Sequence, residues 1–377
     1  MSMIYFDNSA TTRPCPEAIA AMEAAAKECW GNPSSLYDFG ISAAKQLRQA
    51  RSQVASAMGG ETDRLYFTSG GTEADNWAIF GTVKRLGKRG KHIITTAIEH
   101  PAVLNCMKQL EAQGYSVTYL QPEKDGTVTL DALKNALQKD TILVSVMMVN
   151  NEVGSVMPIA QMAKLTHKLC PEAYFHTDAV QAFLKVPFSA KQLGADLITV
   201  SAHKVHGVKG AGALYISPRL KSFPPLHYGG GQESGYRSGT EATPALFAFG
   251  AACQTVSATF REDSARVKEL LNALISELCK LDGVVINGSH AAPHILSLSI
   301  PGVPTQNSIN ILQDAGIFVS PGSACAKGHR SHVLTGMQLS PEIMDSSFRI
   351  SLGRDTTEEE TSRLLSGIQE ILAWKSR

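Results

Sequence analysis

KHIITTAIEHPAVLNCMKQLEAQGYSVTYL, from Lys91 to Leu120, reads as strand, helix, strand. KHIITTA is a short run of β-branched residues with no polar alternation. Such a run suits a strand buried on both faces. PAVLNCMKQLEAQG opens with proline and closes with glycine, the usual punctuation of a helix. YSVTYL then returns as a strand. The pattern continues outward. TLDALKNALQKD reads as helix, TILVSVMMV as strand, PIAQMAKLTHKLC as helix, and AYFHTD, DLITV and GALYIS as further strands. Strands alternating with helices predict an α/β fold with a mainly parallel sheet covered on both faces.

The rhythm changes near Ala258. A long amphipathic segment, EDSARVKELLNALISELCKL, leads into HILSLSI, a helix over Gln306–Ala315, the strand FRISLG and a last helix from Thr357 to Trp374. These segments predict a smaller α+β domain. The expected division is an N-terminal segment at 1–15 that joins the small domain, a large domain at 16–257 and a small domain at 258–377. The segment ATPALFAFGAACQTVSATF, Ala242 to Phe260, is the closest approach to a membrane span. Thr, Pro, Gly, Gln and Ser interrupt it, so it reads as a buried helix.

Composition narrows the function classes. The chain has 377 residues and a formal net charge of +1, which gives no reason to expect nucleic acid or a membrane surface as partner. The N-terminus lacks the basic and apolar regions of a signal peptide, so a cytoplasmic protein is expected. Seven cysteines at 15, 29, 106, 170, 253, 279 and 325 form no CxxC pair, which fits reduced thiols.

Three local features carry chemistry. FTSGGTEADN, from Phe67, takes a short strand through glycines into a helix, and a helix N-terminus behind glycines can cradle a phosphate. A helix N-cap explains the same residues. YFHTDAVQ, Tyr174 to Gln181, places Asp178 at a strand's C-terminal end, where α/β proteins bind ligands. Asp178 could ligate a metal, act as a base, partner a cationic ring nitrogen or cap a turn. In SAHKVHGVKG, Ser201 to Gly210, Lys204 follows another strand end and opens into the same crevice. Partly desolvated and among cations, it would be nucleophilic. A phosphate cradle, a strand-end acid and a strand-end lysine together match pyridoxal phosphate, which needs all three.

The chain then resembles the class V aminotransferases, and within them the cysteine desulfurases. The resemblance rests on YFDNSATT, GNPSS, TSGGTEADN, EHPAVL, VNNEVG, HTDAVQ, SAHKVHG, RSGTEATP, GSAC and FRISLGR, spread over nearly the whole sequence. It implies the aspartate-aminotransferase-like fold, with a seven-stranded sheet in the large domain. It implies that Lys204 holds pyridoxal phosphate as a Schiff base, Asp178 keeps the ring nitrogen protonated and His100 stacks on the ring. Asn151 and Gln181 would bond the phenolate oxygen. Gly71, Thr72, Ser201 and His203 would hold the phosphate, with Thr240 reaching that of a neighbouring subunit in a homodimer. Arg349 would bind the carboxylate of L-cysteine, helped by Asn32, with Arg354 as another candidate.

Cys325, in SPGSACAKGHRSHVL, sits among Gly, Ser and cationic residues, which suits a reactive thiolate on a loop. The resemblance gives it the persulfide, passed to a sulfur-acceptor protein for iron–sulfur cluster assembly, thiamine synthesis or tRNA thiolation. The short stretch Ala326–Arg330 implies a dedicated acceptor. Cys325, His329 and His332 also have the spacing of a zinc site, but no fourth ligand is evident, so no metal is expected. Selenocysteine lyase and class V aminotransferase are the alternatives. A non-catalytic scaffold would not need both Lys204 and Asp178, and no GxGxxG supports a nicotinamide enzyme.

Overall fold

A computed structural model describes residues 3–321 and 330–376. Its main sheet has seven strands: β1 (Leu65–Thr68), β2 (His92–Thr96), β3 (Ser116–Leu120), β4 (Thr141–Ser145), β5 (Tyr174–Asp178), β6 (Leu197–Ser201) and β7 (Gly212–Ile216). They lie in the order β1-β7-β6-β5-β4-β2-β3. β7 runs antiparallel to both its neighbours, and every other pairing is parallel. All five positions of β2, β4, β6 and β7 are buried, which is why their sequences are runs without alternation. β3 is the edge strand and keeps only Leu120 fully inside.

Helices cover both faces. α1 (Pro16–Lys27) and α2 (Asp38–Met58) pack on α5 (Thr243–Leu278), while α3 (Gly71–Leu86) and α4 (Pro101–Ala112) pack together on the other side. β8 (Val285–Asn287), β9 (Ile295–Ser299) and β10 (Ser347–Ser351) form a smaller antiparallel sheet, flanked by α6 (Thr305–Asp314) and α7 (Glu358–Lys375).

The segments expected as two helices, a buried one from Ala242 and an amphipathic one from Glu262, are a single 36-residue helix, α5. Its first half places Leu246, Phe247, Phe249 and Cys253 in the core under the main sheet. Its second half places Val267, Leu270, Leu271 and Leu274 in a second core with Leu298, Ile350 and Ile368. The change of rhythm near Ala258 is therefore a change of partner along one helix, not a chain break. Ile4 and Phe6 join that second core, and Ile4 pairs with Ile317. The N-terminal segment thus crosses from the small sheet to the front of the large one. Cys15, Cys29, Cys106, Cys170 and Cys253 are buried, and Cys279 is exposed.

Candidate active site

The parallel strands, and β1 with them, end at one edge, and the turns beyond those ends enclose a cavity of about 350 Å3. This is the crevice in which open α/β sheets hold ligands. β1 delivers Gly71 and Thr72, β2 delivers His100, and β4 delivers Asn151. β5 delivers Asp178 and Gln181, and β6 delivers Ser201, His203 and Lys204. Arg349 enters from β10 of the small sheet. All ten line the cavity.

Lys204 is the last residue of a single 3-10 turn, Ala202–Lys204, directly after β6. Its Nζ donates to the carbonyls of Ser9 (2.5 Å) and Ala10 (2.7 Å). Burial pulls its pKa down to about 8, with Arg349 adding and Asp7 and Asp178 opposing. A fraction of the amine is thus neutral at physiological pH, the state a nucleophile needs. Asp178 accepts the Val180 N–H at 2.9 Å, so it does cap its turn. Burial first, then Asp75, push its carboxyl upward, and His100 opposes. A buried carboxylate in this state lacks a cation in contact. His100 is the N-cap of α4 and accepts the Ala102 N–H on Nδ1 at 3.1 Å, which leaves the proton on Nε2. Burial pulls its pKa down, so the ring is neutral.

α3 begins at Gly71 with no side-chain cap on its free N–H groups. A Cβ on Gly212 would lie 2.6 Å from the Gly70 backbone, so glycine there lets β7 pass beneath the loop. The Ser201 hydroxyl beside it is buried without a partner. Burial and Lys204 drive His203 down to about 4. Arg349 is buried and donates from Nη1 to the Asn151 carbonyl and from Nη2 to Asp7, both at 2.7 Å, while its Nε has no partner.

Other expected residues lie elsewhere. Asn32 is on an exposed loop, where its side chain accepts the Ser34 N–H, and it does not line the cavity. Thr240 is exposed and also outside it, although Arg237 of the same segment pairs with Glu73 on α3. Arg354 pairs with Asp263 and donates to Thr259 in a second cavity. Cys325, Ala326 and His329 lie outside the described residues. His332 donates from Nε2 to the Glu99 carbonyl. Among the described residues no three His, Cys, Asp or Glu groups converge as for a metal.

Residues that the sequence reading passed over also shape the site. Asp75 on α3 lines the cavity, fully buried, with Oδ1 unpartnered and its pKa pushed up to about 7 by burial. It faces His176 at 3.5 Å, and His176 bonds Ser145 and Thr199. Burial drives His176 down to about 4. Glu152 also lines the cavity and takes the Ser331 hydroxyl. The signal available in the sequence was spacing: Asp75 stands four residues after Gly71, on the same helix face.

Unpartnered Ser201 Oγ, the uncapped start of α3, a buried acid without its cation and a lysine of lowered pKa fit one ligand: a phosphorylated aldehyde with a basic ring. The fold and site thus define the class of pyridoxal-phosphate enzymes. Residues 4–364 match the family model described as Aminotransferase class-V. The chain is 41% identical to cysteine desulfurase IscS of Methanosarcina thermophila, over 98% of this chain and 92% of the relative. A solved NifS-like protein superposes with a TM-score of 0.93 at 37% identity, covering 99% of this chain and all of that one. The structure of SspA in complex with cysteine gives 0.81 at 30%, covering 94% of this chain and 100% of that one. The chain belongs to the class-V aminotransferase family, whose cofactor is pyridoxal phosphate.

Proposed function

We propose that the protein is a cysteine desulfurase, a sulfurtransferase that removes sulfur from L-cysteine and releases L-alanine. The observation that carries this reading is the meeting of Lys204, Asp178, His100 and Arg349 in one cavity, in a chain whose relatives bear the desulfurase name. Those names favour it over selenocysteine lysis and transamination.

Lys204 would be the covalent attachment point, and Asp178 would keep a proton on the ring nitrogen. Gly71, Thr72, Ser201 and His203 would hold the phosphate, Asn151 and Gln181 the phenolate oxygen, and His100 would pack against the ring. Bound there, the cofactor acts as an electron sink for the substrate α-carbon. Arg349 releases Asp7 and takes the substrate carboxylate in a two-pronged bond. Lys204 accepts the α-proton. The Cys325 thiolate attacks the substrate sulfur. The C–S bond breaks, its electron pair stays with the carbon skeleton, and protonation yields alanine. Cys325 keeps the sulfur as a persulfide, which an acceptor thiol removes.

The described residues on either side of Cys325 support this role. Ser320 exchanges backbone bonds with Arg349, and Ser331 and His332 bond Glu152 and the Glu99 carbonyl at the cavity's rim.

We further propose a cytoplasmic homodimer. Trp30, Leu36, Tyr37 and Ile41 form an exposed apolar group on one short stretch, Leu36 being 92% exposed. A partner copy covering it would bring Thr240 to the neighbour's phosphate and Asn32 toward a substrate. No described helix is long and apolar enough to cross a membrane. The acceptor is a protein thiol serving iron–sulfur cluster assembly, thiamine synthesis or tRNA thiolation.

The test is alanine and sulfide release from L-cysteine with reductant, for the parent and Cys325→Ala. Equal amounts of both products from the parent, and loss of nearly all turnover in a variant that stays yellow, are expected. A variant as active as the parent would sink the role of Cys325.

A further inference from the structure

Behind Lys204 lies a second cavity, about 50 Å3, partly open to solvent, where the two cores meet. Lys185 and His206 reach it from the large domain, and Phe260, His294 and Leu352 from the small one. Its walls do not satisfy their own polar groups. His294 is 3% exposed, and neither of its ring nitrogens has a partner. The Lys185 ammonium has one long bond, 3.3 Å to Gln181 Oε1. Asp263 is the one carboxylate among the described lining residues, and it is engaged by the Thr259 hydroxyl at 2.6 Å and by Arg354 at 3.3 Å.

The basic groups therefore face each other without a counter-charge. Burial pulls Lys185 well below its usual range, and Lys204 and Arg349 pull it further. His294 is pulled down by burial, then by Lys185 and Arg349. His206 is lowered by burial and by Lys185 and Arg354, against Asp355 and the bond that its Nδ1 donates to the Arg13 carbonyl. A water molecule could occupy one nitrogen of His294. It would leave Lys185 and His294 held down by burial, whereas an anion between them would favour their charged, fully donating forms.

We propose that this cavity binds a small, weakly hydrated monovalent inorganic anion of halide size, held between Lys185 of the large domain and His294 of the small one. The volume suits one such ion, since a single water already needs roughly 10–15 Å3 of such space. Phe260 and Leu352 favour an ion that sheds its water readily. The ion joins two groups on separate cores, so its binding stabilises their docked arrangement. Binding draws protons onto Lys185 and His294, and it is therefore tighter at lower pH. Because Lys204 lines both cavities, the ion also stands behind the reactive amine.

Bromide is the probe. Crystals of the cofactor-loaded full chain soaked in sodium bromide should show an anomalous peak between Lys185 and His294. In solution, bromide should raise the melting temperature more than sodium gluconate at equal ionic strength, because gluconate is too large for the cavity. The gain should shrink as pH rises, because binding is linked to protons on the two groups. In Lys185→Met and His294→Leu the half-saturating bromide concentration should rise roughly tenfold or more, as expected when a charged hydrogen-bond donor is lost. Water alone in the cavity, or an unchanged bromide response in both variants, would overturn the proposal. If a variant fails to fold, the anomalous map of the parent decides alone.

Discussion

Glu99 offers a test of the site's electrostatics that needs no substrate. Its side chain is fully buried beside His100. Oε1 accepts the Thr96 hydroxyl at 2.6 Å and the Met147 N–H at 2.9 Å, while Oε2 has no partner. Burial pushes its carboxyl from 4.5 to about 8, with Asp178 and Asp75 adding. The folded protein therefore keeps a proton that the unfolded chain gives up above 4.5. The sign follows: the contribution to stability is fully present below 4.5 and is lost as pH rises to about 8. At about 1.4 kcal/mol per pH unit, this amounts to on the order of 5 kcal/mol. Glu99→Gln cannot ionise and keeps Oε1 as an acceptor for both donors. Its added N–H group is buried without a partner, which costs about 1–3 kcal/mol at every pH. Urea unfolding of both proteins at about pH 5 and about pH 8.5 measures the outcome. The parent should be the more stable at the lower pH, and the variant at the higher. A difference that stays constant within about 1 kcal/mol across that range would refute the assignment of a buried neutral acid.

Other perturbations bear on the substrate side. Arg349→Met should raise KM for cysteine by roughly ten- to a hundredfold, the loss of a charge-assisted fork, in steady-state alanine release. It should also raise the Lys204 pKa, since Arg349 holds it down. Asp7→Asn should move the Lys204 pKa the other way, because Asp7 holds it up, so the acidic limb of the kcat/KM profile should shift to lower pH. Gly212→Ala should weaken cofactor retention on dialysis by about tenfold or more, because the added Cβ collides with the Gly70 backbone at the start of α3. A variant that keeps its cofactor as tightly as the parent would mean that the loop yields.

The inner strands of the main sheet were legible because burial on both faces leaves runs without polar alternation, and the edge strand β3 because its β-branched and aromatic residues follow a helix. The cavity residues were legible for a related reason. Crevice ligands hang from strand ends, and strand ends can be found from those runs. The single helix α5 was not legible, because one helix that serves two cores changes its apolar face midway and looks like two. Asp75 and Glu99 were passed over because an acid inside a helix or turn usually faces water. Only tertiary packing brings α3 and the turn after β2 against β5 and buries both. Asn32, Thr240 and Arg354 show the converse: resemblance names a residue, but one chain need not place it.

The N-terminal segment explains why the two sheets must meet for the site to exist. Asp7 holds Arg349 of the small sheet, and two residues later the Ser9 and Ala10 carbonyls hold Lys204 of the large sheet. One strap thus carries acceptors for both cations of the cavity, and it is anchored in the small-domain core through Ile4 and Phe6. Buried carboxyls, Asp75 and Asp178, occupy the opposite wall. A zwitterionic amino acid entering between them meets Arg349 with its carboxylate and displaces Asp7. In the proposed reaction the substrate carboxylate takes the place of the Asp7 carboxylate on Arg349, so one negative partner is exchanged for another through a contact that belongs to neither sheet.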